Sequence, residues 1–253
     1  MESADAGTHD GLERQREQAR DTQCQVVLGE RLADVGRLTS RVAHEIRNPL
    51  STIGGFCHRI LRLEGLDERV ARDVHVILEE TEGLERLLGG IMDFVRLGQP
   101  DKRPTDLNAV LKRALLACEA ARGGKPIRVV ERYAPDLPPI LADAEQIEQV
   151  FVNLIKNAYD AIADVGTVEV SSQRLGGEVL VSITDTGVGI APDQLARIFD
   201  PFFSTKPGGT GLGLSMASKI IDDHRGRIII GSEEGKGTHA RVRLPIGNLP
   251  SRA

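Results

Sequence analysis

The sequence predicts an α+β protein: an N-terminal α-helical hairpin, then a two-layer α/β sandwich. Three observations predict it. Apolar residues recur in alternating steps of four and three up to about residue 95, the seam of helices packed on helices. A proline- and glycine-bearing stretch, Gly98-Gln99-Pro100-Asp101-Lys102-Arg103-Pro104, ends that pattern. Beyond it, helical periodicity and period-two alternation take turns, as helices laid on a sheet require.

The length, 253 residues, suits one large domain or two ordinary ones. With 40% hydrophobic and 27% charged residues, the composition is globular and excludes wholesale disorder. The net charge of −5 argues against a phosphate-coating surface, so no nucleic-acid partner is expected. Aromatic residues at 3%, without tryptophan, argue against stacking platforms for single strands. No apolar run approaches the roughly 18–20 residues that span a bilayer. The polar, acidic start lacks the pattern of a signal peptide. Cys24, Cys57 and Cys118 form no closely spaced pair and read as reduced thiols of a cytoplasmic chain.

Residues 1–25 are a polar lead-in. The helical hairpin is expected over 26–98. Its first stripe runs Leu28, Leu32, Val35, Thr39, Val42, Ile46 and, more loosely, Ile53, Phe56 and Ile60. Pro49 lies inside this helix and should kink or loosen the turn before it. Glu64-Gly65-Leu66-Asp67 is a turn, and the second stripe follows with Val70, Val74, Ile77, Thr81, Leu84, Leu88, Ile91 and Val95. A lone hairpin has little core, so its seam is expected to pair with a second copy as a homodimeric four-helix bundle, or else to rest on the C-terminal domain. Residues 99–104 are the expected linker, 105–247 the second domain, and 248–253 a tail. In that domain helices are expected over Asp106–Arg122, with Asp106 or Thr105 as cap, over Ala144–Ala163, and from Thr210 to His224. Strands are expected at Ile127–Tyr133, Thr167–Gln173, Glu178–Thr184, Arg227–Ile230 and His239–Leu244.

Three strings in that domain bear on ligands. Asp185-Thr186-Gly187-Val188-Gly189 follows a strand, and Gly209-Thr210-Gly211-Leu212-Gly213 opens a helix. Glycines let a backbone approach a ligand, and a helix start offers free N–H groups to phosphates. Asn153 and Asn157 share one helix face, where asparagine is a poor choice unless its amide is used, though taken alone the pair fits two solvent-facing asparagines better. Each string is weak alone. In this order, joined by Phe199-Asp200-Pro201-Phe202-Phe203 and Gly235-Lys236-Gly237-Thr238, they resemble the nucleotide-binding domain shared by gyrase, Hsp90, MutL and histidine kinases. The short string from Asp200 to Gly213 is similar to the nitrogen-regulation type of sensor kinase.

The resemblance implies a set of roles. Asp185 accepts a hydrogen bond from the adenine amino group, which disfavours guanine. Asn157 holds Mg²⁺ bridging the ATP phosphates, and Asn153 lies in the nucleotide site on the same helix face. Gly187 and Gly189 let the chain pass the base, and residues 199–211 form the ATP lid. Thr210, Gly211, Leu212 and Gly213 set a helix start against the phosphates, and Thr238 touches adenine through water. Lys156 and Lys206 are either phosphate partners or plain surface lysines. In the ATP-hydrolysing relatives a glutamate base stands four residues before the metal-binding asparagine; here that position is Asn153, which leaves water without an activator. At Ala240, many histidine kinases carry an aromatic residue.

Ala43-His44-Glu45-Ile46-Arg47-Asn48-Pro49 decides among these families, because it resembles the phosphoacceptor motif of histidine kinases. A partly neutral imidazole is a nucleophile near neutral pH. Glu45 can orient the other ring nitrogen of His44, and Pro49 can supply local mobility. Asn48, one turn on, either helps water attack a partner's phospho-aspartate, a phosphatase role, or simply packs. The expectation is an ATP-dependent histidine kinase that phosphorylates His44 and passes the group to a response-regulator receiver docked near Ser51 to Cys57. Its input comes from an upstream sensor segment or a partner protein. An ATP-gated conformational ATPase and a pure interaction module are the alternatives.

Overall fold

The computed structural model describes residues 45–63, 65–206 and 209–247. The chain divides into two compact units at the Arg96–Leu97 bond. The lead-in, the tail and the start of the first apolar stripe lie outside the described residues.

In the first unit, helix α1 is described over 45–60 and runs through Pro49 without a break. Helix α2 spans Glu68–Arg96. Between them Gly65 takes a left-handed φ of 71°. Asp67 then caps α2, its Oδ1 accepting from Arg69 N at 2.9 Å and Val70 N at 3.3 Å. Within the hairpin Ser51 Oγ donates to Glu85 Oε1 at 2.7 Å.

The heptad seam splits in two. Leu50 and Cys57 on α1, and Val74 and Thr81 on α2, are buried between the helices. Ile46 and Ile53 stay 42% and 41% exposed, and Val70, Ile77 and Leu84 stay 44–50% exposed. Each helix therefore spends one heptad position on its partner and leaves the other uncovered.

The second unit is a two-layer sandwich. Strands β1 (Arg103–Thr105) and β3 (Ile140–Ala142) pair as a small antiparallel sheet. β2 (Ile127–Tyr133), β4 (Gly166–Leu175), β5 (Glu178–Asp185), β6 (Arg227–Glu233) and β7 (Gly237–Pro245) form the main sheet in the order β2-β4-β5-β7-β6. Only the β2–β4 pair is parallel. Helices α3 (Leu107–Ala117), α4 (Ala144–Ala161) and α6 (Gly213–Asp223) cover one face, with α4 in the middle against β5; α5 is the short Pro192–Leu195 turn.

Local chemistry sets these bounds. Asp106 and Asp143 cap α3 and α4, each through a side chain that accepts two backbone N–H groups. The helix expected to reach Arg122 ends at Ala117 and continues as a 3₁₀ turn over Glu119–Arg122, closed by Gly123 at a φ of 57°. The expected linker is partly strand. Thr105 Oγ1 donates to Ala142 O at 2.9 Å, and Arg103 and Pro104 lie in register with Ala142 and Leu141. Pro104 fits there because the two-stranded sheet is all edge. The last helix starts at Gly213 rather than Thr210, because Gly211 takes a left-handed φ of 66° that no helix accommodates.

The core forms where α4 meets the sheet. Ile147, Val150, Phe151, Leu154, Ile155, Ala158 and Tyr159 are buried at steps of three and four. They face Val168 and Val170 of β4, Val181 and Ile183 of β5, and Ala240 and Val242 of β7, which the register stacks side by side. Small Ala240 lies opposite Ile183, so packing accommodates the missing aromatic.

Candidate active site

β5 alternates so that Val179, Val181, Ile183 and Asp185 point to the covered face. A carboxylate thus ends an apolar row, with Asp185 only 6% exposed. Its Oδ1 accepts from Gly187 N at 2.8 Å and Thr238 N at 3.3 Å. No hydrogen bond from the described residues reaches Oδ2. Burial pushes the Asp185 carboxyl up; the two amide hydrogen bonds and the charge of Lys206 work against that. An aligned acceptor with an open oxygen is therefore held beside the sheet.

The loop after Asp185 is fixed on two sides. A Cβ on Gly187 would lie 2.6 Å from Ala161 O at the end of α4, and Val188 N donates to that same oxygen at 3.0 Å. A Cβ on Gly189 would lie 2.1 Å from Glu233 O, and one on Gly237 would lie 2.1 Å from Asp185 O. Only glycine lets these backbones meet. Ser232 joins the same contacts: Ile190 N donates to its Oγ at 2.9 Å, and its Oγ lies 2.9 Å from both Gly237 O and Thr238 Oγ1.

The other end of the site combines α4, α6 and the segment before α6. Asn153 Nδ2 donates to Gly213 O at 3.2 Å and so ties α4 to the first residue of α6. Asn153 thereby acts as a donor. Among the described residues no side chain caps α6, and Leu212 N reaches only Thr210 Oγ1 at 3.4 Å. Its first N–H groups remain available to an anion. Lys206 Nζ donates to Asn157 Oδ1 and to Asp160 Oδ2, both at 2.9 Å. Lys156 is on a different side, where its charge lowers the thiol pKa of Cys118 against the stronger upward push of burial. The structure therefore brings Lys206, not Lys156, to the Asn157 face. Phe202 N donates to Gly211 O at 3.1 Å, pinning the two ends of the intervening segment together. Pro207 and Gly208 lie outside the described residues.

His44 also lies outside the described residues. Glu45 and Asn48 are on the exposed surface of the first described turn of α1, and Asn48 O accepts from Thr52 Oγ1 at 2.9 Å.

Comparison with known proteins fits this arrangement. The family model for the histidine kinase-, DNA gyrase B- and HSP90-like ATPase matches residues 142–248, and the model for the His Kinase A (phospho-acceptor) domain matches residues 34–100. The chain belongs to the sensor histidine kinase family. The sensor histidine kinase ZraS of Escherichia coli K12 is 35% identical over 217 residues, covering 86% of this chain and 47% of that protein. The chain thus spans about half the length of the curated relatives it matches. Among solved structures, full-length ShkA in complex with AMPPNP superposes with a TM-score of 0.67 at 28% identity, over 85% of this chain and 47% of that one. Histidine kinase ThkA in complex with the response regulator protein TrrA gives 0.63 at 30% identity, over 86% and 64%.

This family membership accounts for the order of the motifs along the chain. It does not account for two residues that the motif strings omit. Asp160 shares Lys206 with Asn157, and its signal was its position one turn beyond Asn157 on α4. Ser232 carried no local signal, because its place beside Thr238 depends on the β6–β7 register. Among the described residues no helix is long and apolar enough to cross a membrane.

Proposed function

We propose that this chain is an ATP-dependent protein-histidine kinase that phosphorylates His44 and passes the phosphoryl group to an aspartate of a response regulator. One observation carries the reading. Asn153 holds the place of the hydrolytic base and spends its amide on Gly213 O, so the site that reads adenine has no proton acceptor there for water. A nucleotide bound without an activated water is suited to transfer, and the chain carries the acceptor motif His44-Glu45-Ile46-Arg47-Asn48.

The proposed domains are the hairpin at 26–98, the linker at 99–104 and the ATP-binding domain at 105–247, between the lead-in 1–25 and the tail 248–253. In this reading Asp185 Oδ2 accepts from the adenine amino group, and Gly187 and Gly189 pass the base. Thr210, Gly211, Leu212 and Gly213 present N–H groups to the phosphates. Asn157 Oδ1 already accepts the ammonium of Lys206, so the position suits a cation, and its hard oxygen fits Mg²⁺. Mg²⁺ would supply positive charge to the phosphate oxygens. Lys206, displaced from Asn157, adds its own charge there. Glu45 orients His44, whose neutral imidazole attacks the γ-phosphorus while ADP leaves. Asn48 serves the reverse duty, helping water remove phosphate from the receiver.

The uncovered row of Ile46, Ile53, Val70, Ile77 and Leu84 supports a homodimeric four-helix bundle. The complexes named for ShkA and ThkA support an ATP-class ligand and a receiver partner. ATP as donor suits a cytoplasmic setting, and input reaches the hairpin from an upstream sensor segment or a partner protein.

Incubation with γ-labelled ATP tests the proposal. The wild type should take up label that survives alkali and is lost in acid, and an added receiver domain should remove it. The His44→Gln variant should take up none while still binding nucleotide. Steady ATP turnover by that variant would favour the conformational ATPase instead.

A further inference from the structure

Asp160 is exposed and is the last residue but one of α4. A carboxylate there faces the negative end of the helix dipole, so helix chemistry disfavours it. The last turn of α4 has no basic residue of its own to offset the charge. The offset comes from outside the helix. Lys206 Nζ donates to Asp160 Oδ2 and to Asn157 Oδ1, both at 2.9 Å. Asn157 and Asp160 are three apart and share one helix face, so a single ammonium serves both. The backbone around Lys206 is itself fastened: Lys206 N donates to Ser204 Oγ at 3.1 Å, and Gly209 N donates to Lys206 O at 3.1 Å. The charge of this ammonium also reaches Asp185, where it works against the upward push of burial. A cation of the chain itself is therefore held on the oxygen that suits Mg²⁺, and a carboxylate helps to keep it there.

We infer that Asp160 is a positioning residue that sets which form of the nucleotide the site takes: by holding Lys206 on α4, it makes the site favour the Mg²⁺ complex over the metal-free nucleotide. This deepens the proposed function and rests on the nucleotide-binding reading given above.

The argument is one of competing charges. The phosphates of a metal-free nucleotide draw positive charge from the protein, and Lys206 is the cation that the structure places at Asn157. That lysine is already committed to Asp160. If it turns to the phosphates, the Asp160 carboxylate is left bare beside them. If it stays, the phosphates go without it. Either course weakens binding. The Mg²⁺ complex meets a different balance. The metal supplies charge to the phosphate oxygens and suits the Asn157 oxygen, while Lys206 can keep its bond to Asp160. Asp160 therefore penalises the metal-free form and spares the metal-bound one. The side chains of Lys206 and Asp160 are 40% and 51% exposed, so water screens the pair and its effect is worth up to about fivefold in affinity.

ADP is the probe, because it has no γ-phosphoryl group to transfer. Its affinity for the full chain is measured by calorimetry under two conditions, with excess Mg²⁺ and with EDTA. The wild type should bind ADP more tightly with Mg²⁺. Asp160→Asn should tighten metal-free ADP by about threefold and leave the Mg²⁺ complex unchanged or weaker, so that the advantage of the metal narrows. Asp160→Glu, which keeps the carboxylate, should stay near the wild type in both conditions. In a Lys206→Met background, Asp160→Asn should no longer tighten metal-free ADP. Equal tightening with and without Lys206 would mean that Asp160 merely repels phosphate across space, and would overturn the inference. Unchanged affinities in Asp160→Asn, the result for a plain surface ion pair, would overturn it as well. A wild-type chain that binds ADP in neither condition would sink the nucleotide reading itself, a separate result.

Discussion

Asp185 shows how one residue can cost stability and still be kept. Its carboxyl is buried at the end of an apolar row, which raises its pKa above the ordinary 3.8. A raised acid binds protons more readily in the folded state. Its stabilising contribution is therefore full below the ordinary value and is lost as pH rises through the raised one. At neutral pH the ionised group weighs against the fold. Asp185→Asn keeps an oxygen for Gly187 N and Thr238 N but turns an N–H₂ donor to where the proposed function puts the adenine amino group. The variant should unfold at an equal or higher urea concentration while binding ATP about tenfold or more weakly. His224 has the opposite sign. It is buried, its Nδ1 donates to Ile220 O at 2.7 Å, and its Nε2 accepts from Asp143 N at 2.9 Å. That pattern requires the neutral ring, and burial lowers its pKa below the ordinary 6.5. Its contribution is present above that value and lost as pH falls through the lowered one. Urea midpoints measured downward from pH 7 should fall more steeply in the wild type than in His224→Gln.

Elements were legible where local chemistry fixes them. The apolar rows of α4 and of β5 follow from spacing, and the caps Asp106 and Asp143 follow from residue type. β1 and β3 were not legible, since three residues each, one a proline, carry no alternation; they exist through pairing across the intervening chain. The start of α6 was misplaced because the φ of Gly211 is set by its approach to Phe202, a contact that a sequence does not display. In the site, Asp185, Asn153 and Asn157 were legible as a motif string. Ser232 and Asp160 were not, since each depends on which strand or helix face lies alongside. The glycine contacts are testable as units of structure. Gly237 has a φ of 99°, and a Cβ there would meet Asp185 O at 2.1 Å. Gly237→Ala should cost more than about 2 kcal/mol in chemical denaturation and displace the Asp185 loop. Gly235, also at positive φ, has nothing within 4 Å of its would-be Cβ. Gly235→Ala should cost less, about 1 kcal/mol, with nucleotide affinity unchanged.

At the scale of the whole molecule, one chain joins a hairpin that matches the phospho-acceptor family model to a domain that matches the ATPase model. The hairpin's uncovered heptad row is the feature on which the proposed dimer rests. Ile77, 48% exposed in midhelix, should tolerate a charge in a monomer and not in a dimer. Ile77→Glu should sediment as a monomer with ATP affinity unchanged, and the wild type should sediment as a dimer. The fate of the γ-phosphoryl group is the central claim, and its location is the most direct measurement. After incubation with Mg-ATP, peptides prepared under mildly alkaline conditions and sequenced by mass spectrometry should carry one phosphate, on His44. Phosphate on a serine or threonine, or ATP turned over with no phosphorylated peptide at all, would contradict the account.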